Sequence, residues 1–291
     1  MTRLGIGLLW LLWRLLPVRA LGLAGEGLGA LAYYLVGSRR RVGATNLRLC
    51  FPDMPAEART RLLKRHFRLL GRAFLQETET WWGSQDRLEA LVRIDNPQAL
   101  EAHLGKPLIL FAPHFIGINL GGLRLCTLQC NPVTVYSPLR NPDLDRIVSQ
   151  ARHRFGPVTT FARSEGIKPV LRAVKAGRPF HYSPDLDLGR RDSIFVPFFG
   201  VQAATVSGLA RVARATNATV IPYVTRWQQD GYAVHIHPAW EHFPSGDMEA
   251  DTRRMNAFIE ECVREMPEQY FWVHRRFKTR PPGETRLYER N

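Results

Sequence analysis

Short apolar runs alternate with helical segments from residue 100 onwards, and this alternation constrains the fold more than any other feature. The clearest run, Leu108–Phe111, consists of apolar residues only and precedes Pro113, as is typical of a strand buried in a parallel sheet. Further strands are predicted at 133–136, 179–183, 219–224 and 232–237, and helices at 117–125, 142–154, 168–176, 207–215 and 250–265. This pattern predicts an α/β domain with a mostly parallel, mixed sheet flanked by helices.

The N-terminal region has a different composition. Residues 4–13 carry no charge, residues 20–36 contain one charged residue, Glu26, and three arginines at 39–41 end the region. Neither apolar stretch alone meets the roughly 18 apolar residues expected of a spanning helix. A cleaved signal peptide, a buried helix pair and a membrane anchor, spanning or interfacial, are therefore all compatible with it. We favour the anchor, because tryptophan and arginine side chains suit the headgroup level.

The chain is therefore predicted to have two parts. Residues 1–41 form a membrane-associated helical anchor, and residues 42–291 form the folded catalytic domain. If the anchor spans the bilayer, the arginines that follow it place the domain on the cytoplasmic side. Within this domain, a turn at 51–55 precedes an amphipathic helix predicted at 56–82.

The charge and the cysteine content limit the partners and the compartment. Forty basic residues against 26 acidic ones give a net charge of +14. Such a charge favours polyanions, namely nucleic acid, an anionic membrane, a phosphorylated substrate or an acidic carrier protein. The four cysteines show no C-x-x-C spacing and are too sparse for a disulfide framework, which favours a reducing compartment. No cysteine lies at ligand-like spacing from a histidine, and we expect no structural metal.

His114 is the first candidate for chemistry. It follows the predicted strand Leu108–Phe111 and precedes the predicted helix 117–125, and reactive groups gather at such strand ends in parallel sheets. A histidine there can act as a general base, and the helix start beside it can offer N–H groups to an oxyanion. A hydrogen-bonded structural histidine is equally compatible with this position.

Three later segments add polar and aromatic groups. Asp185 and Asp187 follow a predicted strand and suit either a metal site or a catalytic pair. The sequence FVPFFG at 195–200 is expected to form an exposed aromatic loop that can line an apolar groove. The segment 267–278 combines aromatic and basic residues, and its basic side chains can bind phosphate.

Several of these segments closely resemble the bacterial lipid A late acyltransferases, the lauroyl and myristoyl transferases of lipopolysaccharide assembly. The matching segments are HFIGIN at 114–119, PDLD at 184–187, FVPFFG at 195–200 and EQYFWVHRRFKTRP at 268–281, with RLCFPD at 48–53 and RNPDLD at 140–145. The match covers essentially the whole chain. It implies an inner-membrane enzyme with a glycerolipid-acyltransferase-like fold and a cytoplasmic catalytic domain. Such an enzyme moves an acyl chain from acyl carrier protein to a hydroxyl of a phosphorylated lipid A precursor and needs no cofactor.

The resemblance also implies roles for individual residues. His114 is the general base, and Asn119 is the second catalytic residue, at a position where the family usually has an acid. Asparagine can hold the histidine tautomer but supplies no charge. A second departure is Ser137, where many relatives have arginine. The residues expected to bind substrate or carrier are Tyr136, Arg140, Arg163, Asp185, Asp187, Arg275, Arg276 and Lys278.

Other functions stay open at this point. Asn119 is compatible with a catalytically impaired relative that binds acyl carrier protein or lipid. The pattern of a histidine followed five residues later by an acid is shared by acyltransferases that use other membrane lipids. Nucleic-acid binding accounts for the charge alone, but the chain has no recognisable nucleic-acid motif. The expected partners are acyl carrier protein, a phosphorylated lipid and a membrane surface, and no nucleic acid.

Overall fold

The computed structural model describes residues 3–289, so the outer ends of the predicted parts 1–41 and 42–291 lie outside the described residues. Its helices are α1 (Arg3–Leu15), α2 (Val18–Leu35), α3 (Gly37–Cys50), α4 (Ala56–Gln76), α5 (Thr78–Trp82), α6 (Gln85–Leu91), α7 (Gln98–Glu101), α8 (Ile118–Cys126), α9 (Pro142–Arg152), α10 (Lys168–Lys175), α11 (Gly208–Thr216) and α12 (Met248–Glu265). Its strands are β1 (Val92–Asp95), β2 (Leu108–Phe111), β3 (Val133–Tyr136), β4 (Thr159–Ala162), β5 (Phe180–Tyr182), β6 (Ser193–Phe198), β7 (Val201–Val206), β8 (Thr219–Gln228) and β9 (Gly231–Ile236).

The main sheet has the strand order β1-β9-β8-β2-β5-β3-β4. Its neighbouring strands are parallel except β8 and β9, which pair antiparallel as a hairpin. The predicted α/β fold with a mostly parallel, mixed sheet is therefore confirmed. The apolar run of β2 has its predicted place at the centre: Ile109 and Phe111 contribute to one hydrophobic cluster, and Leu108 and Leu110 to the other. Both faces of the sheet are thus covered, as expected for parallel strands.

The predicted strands and helices after residue 100 are all present, with ends shifted by a few residues. Two of the predicted segments differ from the structure. The helix predicted at 56–82 breaks at Glu77 into α4 and α5. The exposed aromatic loop predicted at 195–200 is wrong, because most of this segment belongs to β6, which pairs with β7, and Phe198 is fully buried. Aromatic and branched side chains suit a pleated strand, but the proline in this run suits a loop equally well.

Helix α2 packs closely on α4. A Cβ atom built on Gly29 would lie 2.0 Å from the carbonyl oxygen of Phe67, and one on Gly71 would lie 2.2 Å from that of Gly25. Glu26, the acid in the apolar stretch 20–36, pairs with Arg72 of α4 at 2.7 Å. Glycines thus allow the two backbones to approach each other, and the ion pair compensates the partly buried charge of Glu26.

The opposite faces of α1 and α2 are apolar and exposed. Their exposed large side chains are Leu4, Leu8, Trp10, Leu11, Leu15, Leu23, Leu28, Leu31, Tyr34 and Leu35. Among residues 3–289 no single helix combines the length and composition of a membrane span. Within the described part of the chain, one bent pair of helices, α2 and α3, passes that test together, across a 90° bend between them.

The cysteines are free thiols, and Cys50, Cys126 and Cys262 are buried. Within residues 3–289 no group of three or more His, Cys, Asp or Glu side chains is arranged to hold a metal ion.

Candidate active site

His114 lies on the loop that leads from β2 into α8, as the sequence predicts. The amide of Ala112 donates to the carbonyl of Tyr182 at 2.9 Å, which extends the β2–β5 ladder to the start of the loop. Gly117 then turns the chain into α8 with a φ of 85°. A Cβ atom there would lie 2.7 Å from the ring of Tyr232, so both the backbone angle and the close contact favour glycine.

Asp185 is the partner of His114. It follows β5, the parallel neighbour of β2, so both residues lie beyond the carboxyl ends of adjacent strands. Its Oδ1 atom lies 2.6 Å from Nδ1 of His114. The Asp185 side chain is 0% exposed, whereas that of His114 is 24% exposed. Because an ionised carboxylate only accepts hydrogen bonds, Nδ1 carries the proton and Nε2 is the basic nitrogen.

The second carboxylate oxygen fixes this arrangement. Oδ2 of Asp185 accepts the backbone N–H of His114 at 3.0 Å and the hydroxyl of Tyr270 at 3.3 Å. The next residue, Phe271, donates its N–H to the carbonyl of His114 at 3.0 Å. The segment after α12 therefore holds both the backbone of the histidine and the carboxylate that orients its ring.

The pair is electrostatically coupled. Burial alone lowers the pKa of His114. The charge of Asp185 and its hydrogen bond together raise this pKa by more than burial lowers it, so that it lies above the ordinary value of histidine. Burial alone raises the pKa of Asp185, but the charge and hydrogen bonds of His114, with a smaller contribution from Arg276, bring it below the ordinary value of aspartate. The carboxylate is thus ionised at neutral pH and favours the imidazolium form of its partner.

His114 faces a cavity of about 1350 Å³. Much of the wall consists of apolar side chains of α4, α5, α8 and α9, among them Leu70, Phe74, Trp81, Leu123 and Val148. Arg152, Arg163, Arg191 and Arg211 also line it. The cavity therefore combines a large apolar space with cationic groups, which suits an amphiphilic ligand with an acyl chain and an anionic part.

Asn119 lines the same cavity but makes a different contact from the one we expected. Its Nδ2 atom donates to Oε1 of Glu77 at 2.8 Å, at the break between α4 and α5. The hydrogen bond that orients His114 comes from Asp185 instead. The sequence pattern suggested Asn119 for this task because it lies five residues after the histidine, but the helical turn directs its amide to α4.

The chain matches the family model "Bacterial lipid A biosynthesis acyltransferase" over residues 1–279. It is 34% identical over 289 residues to the lipid A biosynthesis lauroyltransferase of Escherichia coli (strain K12), covering 97% of this chain and 93% of that protein. The palmitoleoyltransferase of the same organism is 32% identical, with 99% and 94% coverage, and the myristoyltransferase 28%, with 90% and 82%. The chain belongs to this family. It is an acyltransferase, and the family's acyl transfer belongs to lipid A biosynthesis.

The structure of this acyltransferase distributes the predicted substrate-binding residues unevenly. Tyr136 and Arg163 line the cavity. Arg140 is exposed, Arg275 is half-buried, and neither is among the residues of the cavity wall. Lys278 donates to the carbonyl of Asp187 at 3.3 Å, also outside that wall. The roles proposed for these residues in binding substrate or carrier stay predictions.

Two predicted substrate-binding residues, Arg276 and Asp187, are buried and have hydrogen-bond partners within the protein. Arg276 is 2% exposed and donates to a backbone carbonyl at 2.9 Å and to Oγ1 of Thr205 at 2.8 Å. Asp187 is 2% exposed and accepts the N–H of Thr279 at 2.6 Å. Both side chains lie outside the cavity wall, and their roles in binding substrate or carrier stay predictions.

Five residues at or near the site are not predicted from the sequence: Glu77, Arg152, Arg191, Arg211 and Tyr270. Four of them line the cavity, and Tyr270 donates to Asp185. Tyr270 had a usable signal, because it lies in the most specific of the motifs. The cavity residues come from separate helices and loops, and no local pattern brings them together.

Proposed function

We propose that this acyltransferase transfers a fatty acyl chain from acyl carrier protein to a hydroxyl of a phosphorylated lipid A precursor, with His114 as the general base. The observation that carries the proposal is the His114–Asp185 pair, which presents Nε2 to the large cavity. A basic nitrogen beside an apolar space suits proton removal from a hydroxyl next to a bound acyl chain. The relatives named for lauroyl, palmitoleoyl and myristoyl transfer indicate a fatty acyl group of that class.

In the proposed reaction, Nε2 of His114 takes the proton of the acceptor hydroxyl while its oxygen attacks the thioester carbonyl. The carbonyl oxygen becomes negative. The N–H of Ile118 already donates to the carbonyl of Phe115 at 3.2 Å, so the N–H groups of Asn119 and Leu120, which follow it in the first turn of α8, are the suitable donors to this oxygen. The intermediate then collapses, the C–S bond breaks and an ester remains. The thiolate leaves and receives the proton from the imidazolium. Asp185 stabilises the imidazolium throughout and needs no protonation itself.

The cationic wall supports the choice of partners. Arg163, Arg191 and Arg211 line the cavity that holds the apolar space, and the net charge of the chain is +14. Guanidinium groups bind phosphate oxygens in a fork geometry, so they suit the phosphates of the lipid precursor or of the carrier's prosthetic arm. The basic surface also attracts an acidic carrier protein.

We further propose that the exposed apolar faces of α1 and α2 lie on the membrane, with the catalytic domain on the cytoplasmic face of the inner membrane. Leu4, Leu8 and Trp10 of α1 and Leu23 and Leu31 of α2 are among the exposed side chains. A contiguous apolar surface of this kind differs from single exposed apolar residues, because its contact with water is unfavourable and marks a site of interaction. Partition of the chain into anionic vesicles, which should weaken when Leu4, Leu8 and Leu11 are replaced by serine, tests this orientation.

The decisive experiment uses the purified chain with an acyl-loaded carrier protein and a phosphorylated lipid A precursor, and mass spectrometry of the lipid. We expect one added acyl group with the native chain and none above background with His114→Ala. His103→Ala is the matched control, because His103 does not line the cavity. Equal activity of native chain and His114→Ala contradicts the mechanism. No transfer by the native chain, with tight binding of carrier or lipid, favours the catalytically impaired relative. Transfer only to other membrane lipids contradicts the proposed acceptor.

A further inference from the structure

Glu77 and Asn119 form a polar pair on the cavity wall, distinct from His114 and Asp185. Glu77 comes directly after α4, and Asn119 lies in the first turn of α8. The amide Nδ2 donates to Oε1 at 2.8 Å, and both side chains line the cavity. The Oε2 atom of Glu77 and the Oδ1 atom of Asn119 accept no hydrogen bond from the described residues 3–289. The pair therefore presents two unoccupied acceptor atoms.

Burial of the Glu77 carboxylate among apolar side chains destabilises its ionised form, so the position calls for a binding partner. The surrounding wall includes the apolar side chains of Leu70, Phe74 and Trp81. Burial raises the pKa of Glu77, and the hydrogen bond from Asn119 and the charge of Arg152 lower it by less. Arg152 lines the same cavity but makes no ion pair with Glu77 within residues 3–289. Acidic groups held in such surroundings without a paired cation are characteristic of binding and catalytic sites.

We infer that Glu77, held by Asn119, is a positioning residue that accepts a hydrogen bond from an O–H or N–H group of the acceptor lipid. This inference rests on the proposed function for the identity of the acceptor. It deepens that function by assigning a binding group to a part of the cavity that the mechanism leaves unused.

The chemistry of the acyl donor and of the acceptor lipid indicates which of the two Glu77 binds. The reacting end of an acyl thioester has a carbonyl and a sulfur, neither of which can donate a hydrogen bond, and the first N–H of the carrier's prosthetic arm lies beyond the sulfur, away from the acyl chain. The acceptor must carry at least one hydroxyl, since that group is acylated. Two free acceptor oxygens therefore match the acceptor lipid, and its nearest hydroxyl or amide N–H is the group that they hold.

A test follows from exchanging the carboxylate and the amide group between positions 77 and 119. In Glu77→Gln, the amide oxygen of the new side chain still accepts from Asn119, but its NH2 group replaces the free acceptor oxygen with a donor. In the double variant Glu77→Gln with Asn119→Asp, the NH2 group donates to the new carboxylate. Two free acceptor oxygens and one negative charge then return to the same place. Glu261→Gln, on the exposed surface of α12, is the matched control.

The first measurement is the binding of the phosphorylated lipid A precursor in detergent micelles without any acyl donor, so that no turnover is needed. We expect Glu77→Gln to weaken this binding about tenfold or more, as befits a lost hydrogen bond to a charged group. The double variant should return to within about threefold of the native chain, because such a swap restores the pairwise interaction. Glu261→Gln should bind like the native chain, and the KM for the acyl donor should stay unchanged throughout.

Unchanged acceptor binding in Glu77→Gln overturns the inference, and so does a double variant that binds no better than Glu77→Gln. A Glu77→Gln effect on the donor KM that equals the effect on the acceptor also overturns it. Failure of the proposed function has a different signature. A native chain that binds the acceptor with the predicted dependence on Glu77, but transfers no acyl group, contradicts the transfer reaction and supports the binding role.

Discussion

Replacement of Asp185 by asparagine should inactivate the enzyme for a reason that the geometry makes specific. One carboxylate oxygen lies against Nδ1 of His114 at 2.6 Å, and the other accepts the backbone N–H of the same residue at 3.0 Å. The backbone N–H cannot rotate away, so the amide oxygen of an asparagine must face it. The NH2 group then faces Nδ1, which has to become an acceptor. The ring proton moves to Nε2, and the base is lost.

The size of the effect follows from the lost tautomer and the lost charge. A comparable Asp-to-Asn change in a serine protease lowers kcat about 10⁴-fold. We expect a loss of about 10³- to 10⁴-fold here, which corresponds to about 4–5.5 kcal/mol in the activation free energy. The assay is single-turnover acyl transfer at saturating substrate, so that product release does not hide the chemical step.

Asp185→Ala is the informative comparison. It removes the charge but does not force the wrong tautomer, and we expect it to lose less activity than Asp185→Asn. Thermal unfolding of both variants shows whether each is folded. Retention by Asp185→Asn of more than about a tenth of native activity would refute this reasoning, because the tautomer argument requires a loss of several orders of magnitude.

Three further outcomes are expected. The pKa of His114 is raised and its neutral ring is the base, so kcat/KM should fall on the acid side with a midpoint above the ordinary histidine pKa of about 6.5. In Asp185→Ala this midpoint should move to lower pH, and an unchanged midpoint would exclude Asp185 as the source of the raised pKa. Arg276→Met should lower the free energy of unfolding by about 3 kcal/mol, because it leaves the buried acceptors of its hydrogen bonds without a donor, whereas the exposed Arg140→Met should change it by less than about 0.5 kcal/mol; equal stability of the two variants would contradict the buried role. Gly29→Ala should destabilise the chain by about 2 kcal/mol or more, because the new methyl group meets the backbone of Phe67, while Gly27→Ala, with no atom within 4 Å, should be neutral or slightly stabilising; denaturation midpoints in the same detergent compare them.

The sequence predicted the parts of the fold that depend on local pattern. Leu108–Phe111 is apolar at every position, so it could only be buried on both faces, and its neighbours Pro113 and Gly117 mark the end of a strand and the start of a helix. The location of His114 at a strand end followed directly. The β6–β7 hairpin was missed, because a short aromatic run with a proline suggests a loop as readily as a strand.

Long-range contacts were beyond prediction from one sequence. Asp185 lies 71 residues from His114, and they meet only because β5 pairs with β2. Arg276 and Asp187 are predicted to bind substrate because charged residues in a motif suggest binding, and the sequence did not show that both are buried and hydrogen-bonded within the protein. Whether a charged side chain faces a ligand or a carbonyl depends on packing, and packing is not visible in a local pattern.

The position of Asp185 changes the meaning of Asn119. At the level of sequence, an amide at this place deprived the histidine of its carboxylate. The folded chain shows that the histidine has a carboxylate, supplied by the neighbouring strand end and held by two further donors. A charge at residue 119 is therefore not required to stabilise the imidazolium. The amide has a donor that a carboxylate lacks, and it uses that donor on Glu77. An acid at 119 would place two carboxylates side by side, and one of them would have to bind a proton. Asparagine at 119 is thus compatible with the proposed mechanism, because Asp185 orients His114 and Glu77 accepts the amide hydrogen bond.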